Sequence, residues 1–365
     1  MCRSSDSRGE QCKAPETLVF GLPESRLLPI LEAIAGEPIA SFRVTVDHQV
    51  RGFQGYNADK LIPTFAYETK SGRRCVTALM VKWLKDPANR EPLHYFWLAK
   101  HRAPIPRVYG TLTEPDGRVM LFLEYLEPIG GVGDYERFLK DPGNLREFLG
   151  LIARFNAIRP SPEYASKLPR MDVKRRLRSS KEALTRIWEL ARAGTLADEL
   201  LEFCSGSANL LPRLLRLAAR LNRPISKMPL GLIHSDLYPD NTAWRRATGE
   251  LVAIDIEHVC LGPAFYDAAL YLGTPEDIEP LCLPRLELCD VYLEQYLRSG
   301  GRRATADEVL GQTRILWAAR TLGMLRWKLG RALDGMVDFT ADREQGRRHF
   351  RNELLVDLMG LANEA

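Results

Sequence analysis

GLIHSDLYPDNTAW, residues 231–244, and LVAIDIEHVCLGPAFYDAAL, residues 251–270, form a compact stretch of mixed apolar and acidic character between long helical patterns. Asp236 and Asn241 share one short loop, so a single turn of backbone can aim two different side chains at neighbouring points, and Pro239 stiffens that loop. Asp255 closes the apolar run Leu251 to Ile254, where a buried strand would deliver its carboxylate to the same place from the other side. Thr248-Gly249 between the two runs predicts a hairpin of short strands. A carboxylate able to take a hydroxyl proton, beside an amide and a second carboxylate able to hold magnesium, is the set that phosphoryl transfer from a nucleotide requires. Each acid alone fits a solvated charge or a helix cap, and His234 alone reads as structural. Their joint order does not fit those readings.

Outward from this stretch, the character on either side differs. Residues 1–16 lack periodic apolar positions and read as a disordered leader. Leu27, Ile30, Leu31 and Ile34, with Gly36 as a stop, predict a short amphipathic helix from Pro23. Strand patterns follow at Phe42–Val46, Thr64–Thr69 and Cys75–Leu84, with Ser71-Gly72 turning the last two. A helix through EPLHYFWLAKH has Pro92 in its first turn, where proline is tolerated. Two more strands, Arg107–Leu112 and Arg118–Leu126, flank the turn Glu114-Pro115-Asp116-Gly117. Beyond residue 127 helical patterns dominate. The expected division is therefore 17–127 as a strand-rich unit and 128–365 as a helical one.

The run Val76–Lys82 is a strand pattern ending in a lysine among apolar residues, and a lysine buried there needs a partner. Glu91, at the start of the following helix, is the candidate; an ordinary first-turn acid is its plainer reading. The plainer alternative for Lys82, given less weight, is a lysine snorkelling from a strand end, and Lys85 is the lysine with which it could be confused. Gly52 and Gly55 in RGFQGYN fit a phosphate-approaching loop and a plain surface turn equally well.

The series H-S-D-x-x-x-x-N, I-D-x-E and G-P-x-x-Y-D, at residues 234–241, 254–257 and 262–267, resembles the catalytic motif of the aminoglycoside phosphotransferases and choline kinases. The stretch from Arg90-Glu91 to Pro104-Ile105-Pro106-Arg107-Val108 is similar to that family as well. The resemblance covers about Ser41 to Leu272 and is specific only in the catalytic region. It implies an α+β, bilobal protein-kinase-like fold, with an antiparallel five-stranded N-lobe, a mainly helical C-lobe and ATP in the cleft between them. It further implies Asp236 as the catalytic base, Asn241 and Asp255 as Mg2+ ligands, and His234 and Asp267 as braces of the loop. Lys82, oriented by Glu91, would meet the ATP phosphates, and the backbone from Glu124 to Leu126 would meet the adenine. The family most often has glycine where this chain has Ser235.

Composition narrows the partners. With 51 basic and 47 acidic residues among 365, the chain has the mixed surface of an ordinary soluble protein, and nucleic acid is not an expected partner. Seven scattered cysteines without a C-x-x-C pair fit a reducing cytoplasm rather than a disulfide framework or a zinc site. No apolar run is long enough to span a bilayer, and no membrane association is expected. Oligomeric state is not legible.

The expected acceptor is a small-molecule hydroxyl, foremost that of an antibiotic of aminoglycoside, macrolide or nucleoside type. A metabolite kinase of choline or amino-alcohol type is the alternative, and a non-catalytic nucleotide-binding regulator with a kinase fold is another. A protein kinase is disfavoured because Ile256-Glu257, not Phe-Gly, follows Asp255. Charge clues to the acceptor conflict. Residues 167–227 hold fourteen Lys or Arg against six acids, whereas residues 275–294 hold six acids against Arg285. Trp317, Met324 and Trp327 share a helical face that is either core or an aromatic wall.

Overall fold

The computed structural model describes residues 19–49, 58–128, 134–206, 209–245, 247–278, 281–335 and 342–365. The leader expected at 1–16 and the glycine pair Gly52 and Gly55 lie outside the described residues. The chain divides into two compact units, one comprising residues up to Pro92 with Pro106–Tyr125, the other Leu93–Ile105 with Leu126–Ala365.

The first unit is built on an antiparallel sheet of β1 (Ile39–Gln49), β2 (Ala58–Thr69), β3 (Arg74–Leu84), β4 (Val108–Thr113) and β5 (Val119–Glu124), in the order β1-β2-β3-β5-β4. Helix α1 (Glu24–Ala35) buries Leu27, Ile30 and Leu31 in one cluster with Phe65, Leu79, Val81 and Phe122. Each such side chain contributes about 1.5–3 kcal/mol on burial. The helix ends at Gly36, whose φ of 73° only glycine adopts without strain and whose N–H reaches the Glu32 carbonyl at 2.8 Å. It sits close on β4 at Gly110, where a Cβ would stand 2.6 Å from Ile30 Cδ1 and would push that methyl aside. Strand β2 runs on through Pro63. The lost N–H is tolerated because Pro63 lies beside a register shift between Val46 and His48 on β1.

Helix α2 (Glu91–Lys100) carries the chain from the first unit into the second. There β6 (Glu127–Pro128) is followed by α3 (Asp134–Leu139), α4 (Pro142–Asn156), α5 (Pro162–Lys167), α6 (Val173–Arg192), α7 (Asp198–Ser205), α8 (Leu210–Arg220) and α9 (Asn222–Ile225). Four short strands interrupt the helices: β7 (Leu230–Ile233), β8 (Thr242–Arg245), β9 (Glu250–Ala253) and β10 (Cys260–Pro263). Strand β7 pairs antiparallel with β10, and β8 joins β6 to β9, the β8–β9 hairpin turning through Gly249 at φ 67°. The chain ends in α10 (Ala269–Leu272), α11 (Arg285–Arg298), α12 (Ala306–Asp334) and α13 (Arg343–Glu364).

Helix α4 begins at Asp141, whose side chain accepts the Asn144 N–H, with Pro142 in the first turn. Its stripe of Leu145, Phe148, Leu149, Ile152 and Phe155 is fully buried and packs on β7, β9 and α11. Helix α12, capped by Thr305 and stopped by Gly335, packs on α6, α10, α11 and α13. Among the described residues no helix is long and apolar enough to cross a membrane.

Candidate active site

Strand β7 is too short to hold a loop in place by itself, so the chain leaving it is fixed by side chains from elsewhere. Asp267, fully buried just after Tyr266, accepts the backbone N–H of His234 (2.8 Å) and of Ser235 (2.9 Å). It also accepts from Asn156 Nδ2 at 2.8 Å, and Asn156 Nδ2 reaches the Leu232 carbonyl at 3.3 Å. Tyr292 OH donates to Asn156 Oδ1 at 3.2 Å, tying α11 into the same network. A carboxylate taken out of water holds its charge only if such donors replace the lost hydration. Asn156 escapes motif reading; its signal is a lone polar residue four positions after Ile152, on the buried face of α4.

Ser235 has φ 68°, in the left-handed region where most side chains are strained. A glycine would adopt this φ without strain. Here the hydroxyl donates to the His258 carbonyl at 3.0 Å, an offset glycine lacks. His234 is fully buried, with Nε2 placed 3.0 Å from the Ile254 carbonyl. Burial pushes its pKa below the ordinary value, against the pull of Asp267, the Ile254 carbonyl, Asp236 and Asp255. The ring is therefore neutral, Nε2–H donating, while Nδ1 meets no partner among the described residues.

The unfolded chain binds a proton on such a histidine near pH 6.5, about where free imidazole titrates, and the folded chain does not. What His234 contributes to stability is thus present above that pH and is lost as pH falls below it. Melting temperature followed down to about pH 5 should drop more steeply in the wild type than in His234→Gln, whose amide can still meet Ile254. Parallel curves would remove His234 from this account.

Past Asp236 the loop closes on itself. Asn241 Nδ2 donates to the Asp236 carbonyl at 2.8 Å and to Asp236 Oδ2 at 3.1 Å. Asn241 N–H meets the Tyr238 carbonyl at 2.9 Å, and Thr242 Oγ1 donates to the Pro239 carbonyl at 2.6 Å. The Ile254 N–H donates to the Asn241 carbonyl at 2.9 Å, which sets Asp255 next to the loop. Asp255 itself has φ 60°, where the chain turns sharply out of β9.

In the first unit Lys82 and Glu91 lie 2.6 Å apart, with side chains 6% and 2% exposed. Lys85 sits beyond the sheet and pairs with Asp59 at 3.3 Å, both half-exposed, so the two lysines have different surroundings. Removing one partner of a buried pair leaves a poorly compensated charge, whereas replacing both with apolar residues does not. Glu91→Ala is expected to lower the unfolding free energy by about 3–5 kcal/mol, and Lys82→Met with Glu91→Leu by under about 1 kcal/mol. Denaturation midpoints read both; equal losses would make packing, not charge, the source. Glu124 closes β5, its N–H on the Arg107 carbonyl (2.8 Å) and its carboxylate on the Arg107 N–H (3.0 Å). Leu126 is half-buried and belongs to the second unit.

Four of the acids in segment 275–294 have partners within the chain. Glu276 accepts the Arg285 N–H, Asp277 accepts from Asn363, Glu287 pairs with Arg146 and Glu294 with Arg298. The stripe on α12 is not one surface. Trp317 is buried, close enough to Gly360 that a Cβ there would stand 2.7 Å from its ring, while Trp327 is 44% exposed and packs edge-on against Phe350.

A five-stranded antiparallel sheet in the N-terminal part, a mainly helical C-terminal part and a carboxylate–amide loop braced by a buried aspartate define a protein-kinase-like phosphotransferase. Residues 85–306 match the sequence profile of the phosphotransferase enzyme family, and the chain belongs to that family, whose members transfer phosphoryl groups to hydroxyls of small molecules. Among solved structures, the chain is similar to a Ralstonia eutropha protein described provisionally as an aminoglycoside phosphotransferase, at 17% identity, TM-score 0.52, covering 92% of this chain and 98% of that one. It is also similar to a Plasmodium vivax ethanolamine kinase, at 13% identity, TM-score 0.51, covering 93% and 84% respectively. At these identities the likeness establishes the fold. No curated protein sequence matches the chain.

Proposed function

We propose that this phosphotransferase uses ATP and magnesium to phosphorylate a hydroxyl of a small molecule, with Asp236 as the catalytic base. The observation that carries the reading is the contact of Asn241 Nδ2 with Asp236 Oδ2, at 3.1 Å on a loop anchored by Asp267. It holds the carboxylate in one orientation and keeps its second oxygen for the acceptor. In the reaction the acceptor hydroxyl gives its proton to Asp236, its oxygen bonds to the γ-phosphorus, and the bond from that phosphorus to the β–γ bridging oxygen breaks to release ADP. Lys82, steadied by Glu91, would meet the phosphates, and the backbone from Glu124 to Leu126 the adenine.

The donor set fits magnesium. Both hydrogens of the Asn241 amide nitrogen are spent on Asp236, which leaves Oδ1 as the amide's contribution to an ion. Magnesium is ordinarily held by one or two carboxylates together with substrate phosphates and water, not by a full protein cage. Asn241 and Asp255 would hold the ion, which when bound supplies positive charge against the phosphate oxygens. Asp255→Ala is expected to abolish magnesium-dependent turnover, and wild-type ADP release from that variant would rule out the assignment.

For the acceptor we propose an antibiotic-type hydroxyl compound, of aminoglycoside, macrolide or nucleoside type. Trp317 is buried and Trp327 packs on Phe350, so this pair does not form an aromatic cage for a quaternary amine. We place the reaction in the cytoplasm, where ATP is supplied. The test is a mass-spectrometric screen for an added phosphate group with magnesium-ATP and a panel of aminoglycosides, macrolides, nucleoside antibiotics, choline and amino alcohols. A product absent in Asp236→Asn would establish the class and name the acceptor; ATP binding without turnover on any acceptor would favour a non-catalytic regulator.

A further inference from the structure

Arg320, in the middle of α12, is 4% exposed, and among the described residues no carboxylate lies within ion-pairing distance of it. A guanidinium stays charged at any physiological pH, and burying it without a contacting anion is costly unless other groups face it. The groups that face it are two tyrosines. The guanidinium carbon lies 5.0 Å from the Tyr238 ring centroid and 4.9 Å from that of Tyr266, and Nη1 is 3.5 Å from the Tyr266 carbonyl.

Both tyrosines flank residues already placed in the site. Tyr238 is two positions after Asp236 on the Asp236–Asn241 loop, and its carbonyl accepts the Asn241 N–H at 2.9 Å. Tyr266 immediately precedes Asp267, which holds the His234 and Ser235 amides. From the other side Arg176 of α6 donates to Tyr266 OH at 2.7 Å, so the Tyr266 ring is fixed independently of the loop. One buried cation therefore bridges the loop and its brace, and it comes from a helix distant in sequence from both.

We propose that Arg320 is a positioning residue for phosphoryl transfer: its guanidinium, shared between the Tyr238 and Tyr266 rings, holds the Asp236–Asn241 loop in its reactive geometry. This rests on the reading of Asp236 as the base. Asn241 orients the Asp236 side chain, Asp267 anchors the N-terminal end of the loop, and Arg320 anchors its middle. Cation–π contacts gain strength when desolvated, and a planar guanidinium stacks on rings in a way an ammonium does not. Arg320→Lys should therefore restore only part of what Arg320→Met loses.

The test uses the full-length chain with magnesium-ATP and water as acceptor, following ADP release, alongside hydrogen exchange of the 234–241 amides. Expected in Arg320→Met and Tyr238→Leu is a kcat about tenfold below wild type, the size a desolvated cation–π contact supports, with KM for magnesium-ATP unchanged. Loop amides should exchange faster in both, and combining the two changes should cost little more than either alone. Tyr238→Phe, which keeps the ring, should lose less than Tyr238→Leu. Methionine replaces the stem of Arg320 without a charge, so that variant should fold; its melting curve checks this, and Arg320→Lys serves if it does not. Wild-type kcat in Arg320→Met, or strictly additive losses, overturns the proposal, because a purely structural arginine would change stability alone. If the wild type itself releases no ADP, the proposed function fails, and exchange decides the positioning. Faster loop exchange in Arg320→Met and Tyr238→Leu but not in Tyr238→Phe upholds it, and unchanged exchange overturns it.

Discussion

Asp236→Asn is expected to reduce phosphoryl transfer by about 10²–10⁴-fold, the range that general-base catalysis supplies, while leaving nucleotide binding intact. The substitution is nearly isosteric, and an amide oxygen at this position can still accept the hydrogen bond that Asn241 Nδ2 now gives Asp236 Oδ2 at 3.1 Å. The loop therefore keeps its shape, and the variant loses only the ability to take a proton. Asp267 holds the His234 and Ser235 amides just before Asp236, bonds that do not involve the substituted carboxylate, so they survive. The comparison to make is single-turnover ADP formation beside equilibrium nucleotide binding. Transfer within about threefold of wild type would mean that the acceptor hydroxyl needs no base here, as a loose phosphoryl-transfer transition state would permit.

Asp267→Ala is expected to lower the unfolding free energy by about 3–5 kcal/mol, from about 1–3 kcal/mol for each buried donor left without its partner. Three donors lose their acceptor: His234 N–H, Ser235 N–H and Asn156 Nδ2. His234 and Asn156 are buried, so water replaces the carboxylate poorly; Ser235 is half-buried and recovers part of its loss. At about 2–4 °C per kcal/mol for a domain of this size, melting should fall by about 10 °C. Asp267→Asn should cost less, since one amide oxygen remains to accept. A loss below about 1 kcal/mol for the alanine variant would show that solvent reaches these donors.

These two expectations differ in how they could have been reached. The role proposed for Asp236 rests on a loop whose chemistry is local: a proline, an asparagine five residues on and a hairpin after it, all readable along the chain. The stabilising role of Asp267 is also suggested by its place in a motif, but its partner Asn156 is not. Asn156 ends a helix 111 residues earlier in the chain and carries no motif of its own. Charge counts are limited in a related way. Segment 275–294 holds six acids, and four of them, Glu287, Glu294, Asp277 and Glu276, meet Arg146, Arg298, Asn363 and the Arg285 backbone N–H, partners spread over half the chain.

Strand extents show the same limit at shorter range. The expected strand Phe42–Val46 is part of a longer β1, Ile39–Gln49, and the strand expected from Thr64 begins at Ala58. The extension passes through Pro63, whose missing N–H is tolerated because a register shift lies opposite it on the neighbouring strand, a circumstance the strand's own residues do not carry.

The sequence by itself determined the features whose causes act within a few residues. These are the amphipathic α1 with its glycine stop, the hairpin turns, the apolar run delivering Asp255, and the spacing that puts Asp236 and Asn241 on one loop. Periodicity, turn chemistry and backbone restriction are local, so they are written where they act. Only the tertiary structure decided that Lys82 rather than Lys85 is the buried lysine, that Asn156 and Tyr292 complete the network around Asp267, and that Arg320 lies between Tyr238 and Tyr266. Those outcomes depend on which side chains the packing of helices and strands shields from water together, because a buried charge or donor takes whatever partner packing brings within about 3–5 Å, however far away in the chain it began.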